Sequence, residues 1–316
     1  MSTDPIHIAS CCDEGYAPFV TVMMTSTLSN HHGSTPIHFH FVSDNVSEVS
    51  LEAMRRNVEH RGGTLHVYPA DNLVFSELPT SRFGLAAYQR IMLAQYLPAS
   101  LSRIVYIDAD TLVLGDVEAL WRTDIGTAAL AAVEDLSRSA SETIGIARSD
   151  YFNSGVLIQD LDQWRRYGLH HQVAEYAANH AHQLKFMDQC SLNAVFNGDW
   201  HRLHPGWNQQ ATIHKVIRKY AQGSGYSRNT LKQAIATPQL IHFTGPQKPW
   251  HYGSFHPERR TYQYYLQHID WPTPLTPQPS FTQRLAFLVR LGKHIKLLRN
   301  HVRKRYYQLT TRSQSA

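Results

Sequence analysis

The segment Ile104-Val105-Tyr106-Ile107, followed at once by Asp108-Ala109-Asp110, constrains this chain most. An apolar, β-branched-rich run with no polar alternation suits a strand covered on both faces, as in a parallel sheet flanked by helices. Residues two apart in extended backbone point the same way, so Asp108 and Asp110 present their carboxylates together. Two such carboxylates raise each other's pKa unless a cation lies between them. A hard divalent ion, Mg²⁺ or Mn²⁺, takes oxygen ligands and keeps open positions for phosphate oxygens. The plainer reading of the pair is a solvated strand end.

The rest of the chain repeats the strand-then-helix pattern. Ile6 to Cys12 reads as a first strand, and Asp13-Glu14-Gly15-Tyr16 turns it into an amphipathic helix ending near Ser29. Pro36 to Ser43 alternates as a second strand, Val46 to His60 is helical, and Thr64 to Tyr68 is a third strand. A helix is expected from Leu85 to Leu97, before the aspartate strand. Later come a short helix at Asp116–Trp121, a strand at Ala128–Val133 ending in Glu134-Asp135, and a loop Tyr151–Gly155 running into Val156-Leu157-Ile158. Helices are expected over Leu161–Tyr167, Leu169–His182 and from Met187 onward, and a late strand over Leu240–Phe243. Strands alternating with helices predict a mostly parallel α/β sheet whose ligands bind beyond the carboxyl ends of the strands. Asp13 and Asp108 both fall at such ends. Two histidines on one strand face, His38 and His40, receive no role.

Bulk properties narrow the class. A chain of 316 residues with 42% apolar content can bury a sizeable core, and no apolar run is long enough to span a bilayer. The start, Met-Ser-Thr-Asp-Pro, lacks the basic and apolar regions of a signal peptide. Three cysteines, two of them adjacent (Cys11, Cys12 and Cys190), make no disulfide framework and fit a reducing compartment. Residues 281–316 carry nine Lys or Arg and no acid, leaving 21 basic against 25 acidic residues elsewhere. The basicity belongs to the tail, so no nucleic-acid face is expected on the rest. Three segments follow: 1–270 as the catalytic domain, 271–280 as a proline-rich spacer, and 281–316 as a tail whose interleaved apolar and basic residues suit an amphipathic helix on an anionic membrane.

Tyr106-Ile107-Asp108-Ala109-Asp110-Thr111-Leu112-Val113 resembles the D-x-D segment of retaining glycosyltransferase family 8, which includes bacterial lipopolysaccharide galactosyl- and glucosyltransferases. Further segments match in order. His242-Phe243-Thr244-Gly245-Pro246-Gln247-Lys248-Pro249-Trp250 resembles the family H-x-x-G-x-x-K-P-W segment, implying His242 as the third protein ligand of the metal beside Asp108 and Asp110. A nitrogen ligand added to two carboxylates favours Mn²⁺. Lys248, with Gly245 beside it, is then expected on the donor diphosphate. Asp13 and Tyr16 resemble the residues that meet uracil, and Arg90 the arginine that reaches the donor sugar and diphosphate. Asn153-Ser154-Gly155 resembles the sugar-binding loop, and Asp188-Gln189 the acid–amide pair beneath the sugar; Asp135 aligns with an acid facing donor or acceptor.

The resemblance implies a single Rossmann-like nucleotide-sugar-binding domain of the GT-A type, with a UDP-hexose as donor and Mn²⁺ or Mg²⁺ as cofactor. The expected partners are a glycan or glycolipid acceptor and an anionic membrane surface, with no nucleic acid. The expected location is the cytoplasmic face of the cell membrane. Runner-up readings are a transferase acting on a protein or soluble glycan, and a non-catalytic nucleotide-sugar-binding protein.

Overall fold

A computed structural model describes residues 4–71, 86–137, 140–214, 217, 224–254 and 256–275. The first strand, β1 (Ile6–Asp13), is followed by helix α1 (Ala17–Ser29), then β2 (Ile37–Asp44), α2 (Glu48–Glu59) and β3 (Thr64–Pro69). After Ala86 come a 3-10 segment and a single α turn, then β4 (Arg103–Ile107), β5 (Thr111–Val113), α4 (Val117–Trp121) and β6 (Leu130–Glu134), taking that turn, Leu93–Tyr96, as α3. β7 (Phe152–Asp160), α5 (Leu161–Arg166), α6 (Leu169–His180), α7 (Met187–Phe196), β8 (His201–Arg202) and β9 (Gln209–Gln210) lead to helix Arg228–Ala236, strand β10 (Leu240–His242) and helix Arg259–Gln267.

The seven strands of the main sheet run in the order β3-β2-β1-β4-β7-β6-β8. Four of the six neighbouring pairs are parallel, and β7 is antiparallel to both β4 and β6. This is the mostly parallel α/β sheet expected from the alternation. One face packs Ile6, Ile8, Phe39 and Val105 against Val20 and Met24 of α1 and Met54 of α2. The other packs Ala9, Ile104, Tyr106 and Leu157 against Tyr88, Leu161 and Trp164. Both faces are covered along β4 and β7, which is why these strands read as continuous apolar runs.

Three local expectations are corrected. The Leu85–Leu97 stretch is not one α-helix. Ala86–Met92 is a 3-10 helix and only Leu93–Tyr96 is α, the tighter form that short pieces adopt. There the Arg90 Nε donates to the Ala87 carbonyl one 3-10 turn back, at 3.0 Å. Asn153-Ser154-Gly155 is not a loop but the beginning of β7. Asn193 of α7 holds that start open: its Oδ1 accepts from the Phe152 N–H at 2.7 Å, and its Nδ2 donates to the Phe152 carbonyl at 2.9 Å. Third, β5, β10 and β9 form a separate three-stranded sheet that the periodicity did not reveal. The spacer and basic tail beyond residue 275 lie outside the described residues. Among the described residues no helix is long and apolar enough to cross a membrane. All three cysteines are free and buried.

Candidate active site

A cleft of about 820 Å³ opens at the carboxyl ends of β1 and β4. Asp13, Tyr16, Arg90, Asp108, Asp110, Asp135, Asn153, Ser154, Asp188, Gln189, His242, Gly245 and Lys248 all line it. Residues spread over more than two hundred positions therefore share one concave surface. Gly155 is the one expected site residue behind the wall.

The two aspartates converge by a route the strand arithmetic did not foresee. β4 stops at Ile107, the chain turns through Ala109 and Asp110, and β5 starts at Thr111. The Thr111 hydroxyl donates to the Asp108 carbonyl at 2.8 Å and closes that turn. β5 pairs antiparallel with β10, setting His242 opposite Thr111. The small sheet thereby delivers a histidine to the aspartates across more than a hundred residues of sequence. His242 Nε2 lies 3.1 Å from Asp110 Oδ1 and 3.6 Å from Asp108 Oδ2, and ligand atoms of the three residues fall within 4.8 Å of one another.

These residues suit a divalent ion. His242 Nδ1 faces two amide oxygens, Asn153 Oδ1 at 3.1 Å and Asn208 Oδ1 at 3.0 Å. Oxygens accept only, so the Nδ1 side carries the hydrogen and, in the neutral ring, Nε2 turns its lone pair toward the carboxylates. A partner on the far ring nitrogen that fixes the tautomer is the usual support of a ligating histidine. Gly155 keeps the space open: a Cβ there would come within 2.1 Å of His242 Cε1 and 2.8 Å of Asp108 Oδ2. Tyr106, two residues before Asp108 on the same strand face, donates its hydroxyl to Asp108 Oδ1 at 2.7 Å.

Positive groups flank the carboxylates. Arg90, fully inside the protein, reaches Asp108 Oδ1 at 2.9 Å and Asp188 Oδ2 at 3.1 Å, with the Tyr106 ring 4.7 Å beneath its guanidinium. Lys248 pairs with Asp110 and donates to the Phe243 carbonyl at 2.9 Å. Burial by itself would raise the Asp110 carboxyl, but His242 in its protonated form, whose Nε2 proton a metal ion would replace, and Lys248 outweigh it and hold the pKa below its ordinary value. Asp188 goes the other way: burial lifts its carboxyl above the usual range despite Arg90.

Beneath these charges lies a polar floor. Gln189 Oε1 accepts from Asn153 Nδ2 at 3.0 Å and from the Ser154 N–H at 3.1 Å, while its Nε2 donates to Asp135 Oδ2 at 2.7 Å. The Ser154 hydroxyl donates to Asp188 Oδ2 at 3.1 Å. A register break releases this stretch into the cleft. Ala132 of β6 pairs with Leu157, yet the next residue, Val133, pairs with Asn153. Ser154, Gly155 and Val156 thus bulge from the β6 ladder, a device that re-aims side chains beside a site.

At the opposite rim, Asp13 Oδ1 accepts from the Tyr16 N–H at 3.1 Å and caps the turn into α1. Gly245 has φ +92°, a conformation open to glycine. Trp250 stacks on Phe19 of α1 with centroids 3.7 Å apart, and the Tyr16 ring meets it edge-on. The segment carrying Lys248 is therefore clamped to the first helix. Sequence reading missed Asn208, Tyr106 and Tyr151, whose hydroxyl accepts from Gln189 Nε2 at 3.2 Å. Tyr106 was reachable by the same two-residue spacing that joined the aspartates; Asn208 and Tyr151 carry no sequence signal.

A mostly parallel sheet with an acidic, cation-flanked cleft at its carboxyl edge is a GT-A-like glycosyltransferase fold. A crystal structure of the galactosyltransferase LgtC with donor and acceptor sugar analogues matches it with TM-score 0.77 at 24% identity, covering 85% of this chain and 98% of that one. The family described as Glycosyl transferase family 8 matches residues 7–254. The chain belongs to that family. It is 30% identical to General stress protein A of Bacillus subtilis (strain 168) over 280 residues, 86% of this chain and 97% of that protein. It is 25% identical to Lipopolysaccharide 1,2-glucosyltransferase of Escherichia coli (strain K12) over 277 residues, 85% of this chain and 80% of that protein.

Proposed function

We propose that this glycosyltransferase is a retaining hexosyltransferase that moves glucose or galactose from a UDP-sugar to a glycan, with lipopolysaccharide core or another lipid-linked saccharide as acceptor. The observation that carries this reading is the convergence of Asp108, Asp110 and His242, with Lys248 beside them, on the rim of the cleft. The similarity to a lipopolysaccharide glucosyltransferase and to the galactosyltransferase LgtC, solved with donor and acceptor sugar analogues, supports the hexose and the acceptor class.

Asp108, Asp110 and His242 Nε2 would hold Mn²⁺ or Mg²⁺, which supplies positive charge where the leaving diphosphate gathers negative charge. Lys248 gives up Asp110 for a diphosphate oxygen, and Gly245 lets the backbone come close to it. Asp13 and Tyr16 receive the base. Arg90 orients the sugar–phosphate side while pairing with Asp108. Asn153, Ser154, Asp188, Gln189 and Asp135 bind the hexose hydroxyls from below.

Retention by double displacement needs a free carboxylate under the anomeric carbon. Asp188 is pinned by Arg90 and Ser154, and Gln189 is a poor nucleophile. We therefore favour front-face attack. The C1–O bond to UDP breaks, the acceptor oxygen bonds to C1 on the same face, and the departing phosphate oxygen takes the acceptor proton. A glycosyl adduct trapped on Asp188 would overturn this order of events.

The reaction class is tested by UDP release from UDP-glucose and UDP-galactose with and without Mn²⁺. Turnover of one donor is expected to fall by roughly 10²–10³-fold in Asp110→Asn. Turnover indifferent to both the ion and Asp110 would sink the reading. The basic tail is proposed to hold the enzyme on the inner face of the cell membrane. Sedimentation with anionic vesicles should drop when Arg299, Arg303 and Lys304 are changed to Gln, each charge contributing about 1 kcal/mol; unchanged sedimentation refutes the tail assignment.

A further inference from the structure

At the other end of the sheet, four histidines stand on one face of three neighbouring strands. His7 on β1 is in register with His38 on β2, and His40 on β2 is in register with His66 on β3. Since His38 and His40 are two apart, strand alternation puts all four rings on the same side. Ring centroids of successive members lie 5.5 Å (His7–His38), 5.3 Å (His38–His66), 5.0 Å (His66–His40) and 5.1 Å (His40–His7) apart, a closed quadrilateral. His40 is buried, and the other three are partly open to solvent.

Two nitrogen pairs are in contact, His7 Nδ1 with His40 Nε2 at 2.9 Å and His38 Nδ1 with His66 Nε2 at 3.4 Å. Two atoms bound to one ion at about 2.05 Å are about 2.9 Å apart at a right angle and about 3.35 Å apart at the tetrahedral angle. A spacing of 2.9 Å is that of an N–H···N hydrogen bond and equally that of two nitrogens on one first-row ion, so an ion that displaces the shared hydrogen would find the His7–His40 pair already at ligand separation. The outer side of the array is also prepared. The Tyr68 hydroxyl lies 3.0 Å from His40 Nδ1, which fixes the ring and leaves Nε2 to face His7. Burial and mutual proximity push His7 down to about 4 and His40 to about 3, so both rings are neutral near pH 7 and keep a lone pair. Four imidazoles with no carboxylate among them suit a borderline ion over Mg²⁺ or Ca²⁺.

We propose that His7, His38, His40 and His66 form a second metal site, for a divalent ion of the zinc, nickel and copper class, separate from the aspartate cleft. As the rings stand they make two pairs. One ion takes the His7–His40 pair directly and recruits a third imidazole, from His38 or His66, by side-chain rotation. The site does not depend on the proposed transferase chemistry, because no residue is shared.

The test uses Zn²⁺ and the full chain. Diethylpyrocarbonate labelling, read residue by residue by peptide mass spectrometry, should fall at least fivefold at His7 and at one of His38 and His66 when Zn²⁺ is added, in the wild type and in Asp110→Asn alike. Calorimetry should show one Zn²⁺ equivalent that persists in Asp110→Asn and weakens at least tenfold in His38→Gln/His66→Gln. Labelling of the four histidines that is unchanged by Zn²⁺ overturns the proposal, as does Zn²⁺ binding that the folded double variant leaves intact. If the double variant does not fold, the labelling of the wild type decides alone.

Discussion

The two ends of the sheet handle buried polar groups in opposite ways. At the carboxyl end, charges alternate in sign: Asp188, Arg90 and Asp108 form one chain, and Asp110 meets Lys248 and His242. At the amino end, four like groups meet one another with Asp4 as the nearby acid, and burial keeps His7 and His40 below the ordinary histidine pKa. Ionised groups can persist inside a protein when each has a partner. Titratable groups of one kind avoid charging instead. The carboxyl end is thereby built to receive a charged ligand, and the amino end to offer lone pairs.

The comparison breaks most sharply at Arg90. Arg90→Met leaves the buried Asp188 and the part-buried Asp108 without their cation, and stability should fall by about 3–5 kcal/mol in urea denaturation. A loss under about 1 kcal/mol would mean that solvent, not Arg90, carries these carboxylates. Gly155→Ala comes next. Its Cβ enters space held by His242 and Asp108, so the strand or the imidazole must shift, at about 1–3 kcal/mol. Mn²⁺ affinity by calorimetry should weaken while the far-ultraviolet circular dichroism stays that of the wild type. Unchanged Mn²⁺ binding would show that the close approach has no part in the site.

The smallest expected effect lies at the amino end and concerns pH. The folded pKa values of His7 and His40 lie below the unfolded value of about 6.5. Between these limits the unfolded chain binds more protons than the folded one, so stability is complete above about pH 6.5 and declines as pH falls through the window toward 4. The groups facing these rings are His38, His66, Tyr68 and, on the solvent side, Asp4. His7 is partly open to water, so its share is screened. The urea midpoint should drop from pH 7 to pH 5, above the carboxylate range, and the drop should shrink in His7→Gln/His40→Gln. Equal drops in both proteins would remove the contrast between the two ends.

Much of the fold was legible because local periodicity reports it. A continuous apolar run marked β4 and alternation marked β2, and the helical patterns beginning near Val46 and at Asp116 became helices that the structure shows capped by Ser47 and Asp116. Segment order was enough to set Asp13 and Asp108 on one rim, since ligands in such sheets meet the carboxyl ends of strands; the other candidates came from the family resemblance.

The remainder depends on contacts distant in sequence. Asn153 looked like a turn residue because its strand is held by Asn193 and released by a bulge opposite Val133. His242 reaches the aspartates only because β10 pairs with β5. His38 and His40 gained neighbours only when β1 and β3 fell into register on either side of β2. The amino-acid sequence by itself determined the layered α/β architecture, because propensity and side-chain period act over a few positions, while the resemblance of its motifs to a family named the candidate site residues. Which of those side chains touch, and with what charge, was decided by the tertiary structure, because cross-strand register and desolvation are properties of groups brought together from far apart.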